Sequence, residues 1–148
     1  MSWAEEVGRA LLALGVPWLP GMCAWVVGLT AEEQTAGDRY VWTDARGRLR
    51  FAGPGVGAMP MIDCARRDHS KVVPDLRDDA TRGAVRGWLS DRVGEHIAIL
   101  CTEKDNGRLP WVGSVRSGGG SRLLTIDNAD WREAEARALL SMAREVLA

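Results

Sequence analysis

The sequence predicts an α+β fold built as a single domain, residues 1–148, and three observations carry that prediction. Three stretches place apolar residues at helical spacing behind good N-terminal caps. Between them lie short β-prone runs joined by turn residues, above all Asp105-Asn-Gly107. The resulting order is an N-terminal helix, antiparallel strands, a central helix, a three-stranded meander and a C-terminal helix. That order segregates strands from helices and is not a nucleotide-binding α/β wind. A composition of 46% apolar and 26% charged residues excludes disorder and collagen-like repeats.

The first helix opens at Ser2, which with Glu5 makes an S-x-x-E capping box, and Glu5 and Glu6 suit the positive end of the helix dipole. Trp3, Val7, Ala10, Leu11 and Leu14 share one face, and Gly15 and Pro17 stop the helix. Pro17-Trp-Leu-Pro-Gly-Met22 reads as a rigid turn, and Cys23–Leu29 as a buried strand. After a polar loop over 30–38, Arg39–Thr43 and Leu49–Ala52 form a hairpin around Asp44-Ala-Arg-Gly47. Gly53–Gly57 breaks the chain, Met59–Cys64 is a further short strand, and Ala65–Lys71 is a charged, exposed stretch.

Asp78 is the N-cap of the central helix, with Asp79 in its first turn. Its stripe is Ala80, Ala84, Val85, Trp88, Leu89 and Val93, and Gly94 ends it. Gly83 and Gly87 weaken it by up to ~1 kcal/mol each relative to Ala, and their small size suggests close packing by another element. His96–Thr102 is a strand, the Asn-Gly pair suits a type I′ turn, and Leu109–Val115 returns. Ser117-Gly-Gly-Gly-Ser121 gives a second, looser reversal into Leu123–Ile126. Asp127 or Asn128 caps the last helix, where Trp131, Ala134, Ala138, Leu139, Met142 and Val146 share a face. The chain has seven Trp against one Phe and one Tyr, so most of the indoles are expected in the core.

Two segments resemble a known group. Trp18-Leu-Pro-Gly-Met22, and Pro74-Asp-Leu-Arg-Asp-Asp-Ala-Thr-Arg-Gly83 with Trp88 beyond it, are similar to segments of short phage and prophage proteins of high-GC bacteria. Those proteins carry a WLPGM segment and a PDL-x-D-P-A-T-x-G helix start, then a β-hairpin and a final helix. Asp79 stands here where that group has Pro, and the helix body is more polar. About fifteen positions match, and the C-terminal half matches in layout alone. The resemblance implies an origin and no particular chemistry. A chain in which seventeen of the nineteen basic residues are Arg, with only Lys71 and Lys104 as lysines, agrees with GC-rich coding.

Several activities are weighed down by what the chain lacks. The net charge of −1 supplies no field for nucleic acid or acidic lipid. The uncharged stretch from Ala10 to Ala31 holds Gly15, Pro17, Pro20, Gly21 and Gly28, which break a membrane-spanning helix, and the Glu5, Glu6 and Arg9 before it do not make a signal-peptide start. Cys23, Cys64 and Cys101 are odd in number, form no CxxC, and lie in or beside apolar stretches, which suits a reducing cytoplasm. His69 with Cys64, Asp63 and Asp68 lacks the paired spacing of a zinc site. A Cys–His dyad from Cys101 or Cys64 with His96 or His69 has no nucleophile elbow or helix-start Cys behind it.

The expectation is therefore a cytoplasmic, non-enzymatic protein without metal or cofactor that binds another protein, with homodimerisation as a further option. Candidate partner-binding residues are Trp42, Arg46, Arg48, Arg50 and Trp111, because Trp and Arg dominate interface hot spots. The alternative is a nucleic-acid or nucleotide-binding module that uses the Arg46–Arg50 hairpin or the Gly118–Gly120 tip.

Overall fold

The computed structural model describes residues 2–26, 40–43, 49–52, 59–60, 72–104, 109–117, 120–125 and 131–147. Helix α1 (Trp3–Ala13) begins as its capping residue dictates: the Ser2 hydroxyl accepts the Glu5 N–H at 3.2 Å. It buries Ala4, Val7, Gly8 and Leu11. It ends in a Schellman motif, with the Val16 N–H on the Leu11 carbonyl and the Gly15 N–H on that of Leu12. The chain then reverses at Leu19–Met22, where the Met22 N–H reaches the Leu19 carbonyl at 3.2 Å and Gly21 holds φ 89°. Proline second and glycine third is what a type II turn requires. The turn delivers Met22 into the core, with no exposed surface.

Strands β1 (Cys23–Val26), β2 (Tyr40–Thr43), β3 (Leu49–Ala52), β4 (Met59–Pro60) and β5 (Val72–Pro74) form one sheet in the order β4-β3-β2-β1-β5. Every pairing is antiparallel. The sequence-predicted hairpin is there in β2 and β3, with Thr43 opposite Leu49. β5 takes the other side of β1, and all three of its residues are buried. Helix α1 packs on it, and Gly8 makes the contact: a Cβ there would stand 2.6 Å from the Pro74 carbonyl oxygen and 3.2 Å from the Val73 Cβ.

Helix α2 (Asp79–Val93) starts at Asp78, whose carboxylate accepts the Thr81 N–H at 2.8 Å, and closes at Gly94, whose N–H bonds the Ser90 carbonyl. Strands β6 (Ala98–Lys104), β7 (Leu109–Ser117) and β8 (Gly120–Thr125) make a second antiparallel sheet in that order. Helix α3 (Trp131–Val146) packs against these strands and against both other helices. It is consequently buried on more than one face: Ala136 and Leu140 are covered as well as the expected Ala134, Ala138, Leu139 and Met142. The chain is α+β. Among the described residues no helix is long and apolar enough to cross a membrane.

Four expectations are corrected. Of the indoles whose surroundings are described, Trp3, Trp18 and Trp88 are only partly buried, and Trp131 is 41% exposed. Leu, Val, Met, Ile and Ala make up the described core, and Trp3, Trp18 and Trp88 pack against its margin. Gly83 and Gly87 are not close-packing points, since a Cβ at either meets nothing within 4 Å among the described residues. His96 lies before β6 and is exposed. Strand β8 starts at Gly120, inside the expected Ser117–Ser121 reversal, and Gly120 pairs with Ser117. The remainder of the Met59–Cys64 strand, the 65–71 stretch, the Asp105–Gly107 turn and the Asp127/Asn128 cap lie outside the described residues.

Candidate functional site

Two concentrations of chemistry meet at Cys23 in the five-stranded sheet. The first is the junction between β5 and α2. Asp75, Thr81 and Arg82 are its buried polar residues, none more than 4% exposed. Arg77 grips Asp75 with two guanidinium bonds of 2.8 Å, and its N–H reaches the same carboxylate at 3.1 Å. The Thr81 hydroxyl donates to Asp78 at 2.8 Å and accepts the Cys23 N–H at 2.8 Å, while the Asp75 N–H bonds the Cys23 carbonyl at 2.9 Å. Cys23, the residue that follows the Leu19–Met22 turn, is thus hydrogen-bonded to both Asp75 and Thr81.

Arg82 completes the junction. Its Nη1 donates to the Leu76 carbonyl at 2.8 Å, its Nε to Glu135 at 3.2 Å, and its Nη2 pairs with Asp79. Its guanidinium also lies 4.8 Å from the centre of the Trp131 ring. One buried cation therefore joins the start of α2 to α3, and every partner comes from within the chain. Such a site holds a fold together.

The second concentration is the body of the sheet, set by strand register. Cys23 pairs with Trp42, Trp42 with Arg50, and Arg50 with Pro60, a transverse row across four strands. Directly opposed residues share a face, and strand alternation adds Trp25, Tyr40 and Ala52 to it. The other face takes Ala24, Val26, Val41, Leu49, Phe51 and Met59. The first face also takes Val73, which is opposite Trp25 and buried where Gly8 of α1 packs on β5, and the second also takes Thr43. Trp42 and Arg50 are brought together, about 5 Å apart at their backbones.

Trp111 belongs to the other sheet, opposite Glu103, and does not join them. Gly120 opens β8, whereas Gly118 and Gly119, like Arg46 and Arg48, lie outside the described residues. Trp25 and Tyr40 were missed as candidates, although the alternation in Cys-Ala-Trp-Val and Tyr-Val-Trp-Thr marks them once the two strands are known to be neighbours.

The Cys23 thiol, at the junction end of the row, is pushed up to about 11, first by burial and then by the nearby Asp78 carboxylate, to which it is hydrogen-bonded. At neutral pH it is a protonated thiol and a poor nucleophile. His69 and Cys64 lie outside the described residues. Among the described residues no three His, Cys, Asp or Glu side chains gather to hold a metal ion. An open, shallow, polar depression at the end of α2 is lined by Ser90, Asp91, Gly94, Glu95 and His96, and the Ser90 hydroxyl there is engaged by the Ile97 N–H at 3.1 Å. Comparison of the chain with protein-family models, with curated proteins and with solved structures gives no match.

Proposed function

We propose that this is a small, non-enzymatic phage or prophage accessory protein that works in the host cytoplasm by binding another protein, either to inhibit a host-defence component or to serve in virion assembly. In this reading the chain is one domain, with β6–β8 as its three-stranded meander. The observation that supports it is the register of β1, β2 and β3, which gathers Trp25, Tyr40, Trp42 and Arg50 on one sheet face. Trp, Tyr and Arg are the residue types in which interface energy concentrates.

The experiment is capture from a lysate of the host with wild type, Trp42→Ala, Arg50→Ala and Trp111→Ala in parallel. A defined protein held by wild type and Trp111→Ala but lost with the other two supports the reading. Capture that is indifferent to all three substitutions overturns it. The nucleic-acid or nucleotide-binding reading rests on the Arg46–Arg50 sequence or the Gly118–Gly120 sequence, and becomes the better one if the captured species is nucleic acid bound with a steep salt dependence.

A further inference from the structure

We draw no further inference here: the strongest candidate, the open polar depression at the end of α2 where Asp91, Glu95 and His96 gather, is an acidic cluster whose Ser90 hydroxyl is already engaged by the Ile97 N–H, and nothing among the described residues points to a ligand for it.

Discussion

At the β5 end of the five-stranded sheet, Asp75, Thr81 and Arg82 are almost wholly buried, and each of their polar groups meets a partner from the same chain. At the β2–β3 end, Trp42 and Arg50 stand opposite one another on a face shared with Tyr40 and Trp25. Both regions are rich in the residue types that sequence motifs draw attention to. The junction directs that chemistry inward, so its residues govern whether the protein folds. The sheet face is the surface proposed for a partner, so its residues are expected to govern what the protein binds.

The largest effect expected at the junction is that of Arg82→Met. It leaves Glu135 and the Leu76 carbonyl facing an apolar side chain, and breaking a buried pair on one side costs about 3–5 kcal/mol. Urea unfolding reads it as a lower midpoint at unchanged slope. Thr81→Val removes the acceptor for the Cys23 N–H and a donor to Asp78, with an expected loss of about 1–3 kcal/mol in the same measurement.

Glycines sharpen the comparison because local propensity and packing disagree about them. Gly8→Ala gains helix propensity but drives a methyl into the Pro74 carbonyl, so a net loss of about 1–3 kcal/mol is expected. Gly83→Ala and Gly87→Ala, which meet open space among the described residues, should each raise stability by up to about 1 kcal/mol. Thermal melts of the three variants give opposite signs if the contact of α1 with β5 is correct.

Two titrations give smaller effects. The folded state holds the Cys23 proton up to about 11, above the range in which an unfolded thiol releases it. The thiol's contribution to stability is therefore complete below the unfolded value and falls away as pH rises towards 11. Alkylation of native protein should stay slow through neutral pH and quicken only in strong alkali, while unfolded protein reacts earlier. Glu6, paired with Arg137 across α1 and α3 at 3.3 Å, has its carboxyl held low by that hydrogen bond and by the guanidinium charge. Its contribution is present at neutral pH and lost as pH falls through the lowered value. This exposed pair is worth on the order of 0.5 kcal/mol, so Glu6→Gln should shift an acid-unfolding curve slightly and a neutral one barely.

What the sequence made legible is local. Ser2, Asp78 and Gly94 announce helix ends because a cap is a contact within a few residues, and the β2–β3 hairpin is readable for the same reason. Arg82 was invisible: on α2 it reads as one more solvated cation, and the Glu135 that makes it buriable lies 53 residues away. Gly8 passed unnoticed while Gly83 and Gly87 were singled out, since only the pairing of β5 beside β1 brings a carbonyl against the first helix. The candidate site was half legible. Trp42 and Arg50 were named from residue type and set side by side by the predicted hairpin, but the addition of Trp25 and Tyr40 and the separation of Trp111 follow from register, which no single strand encodes.

The central claim is that one arginine of this chain is a structural cation and another is a binding cation. Urea unfolding of Arg82→Met and Arg50→Met beside the wild type tests it most directly. The account predicts a loss of several kcal/mol for Arg82→Met, in the range of about 3–5 kcal/mol, and a change within about 0.5 kcal/mol for Arg50→Met. Equal stability of Arg82→Met and wild type, or a loss at Arg50→Met as large as that at Arg82→Met, would contradict it.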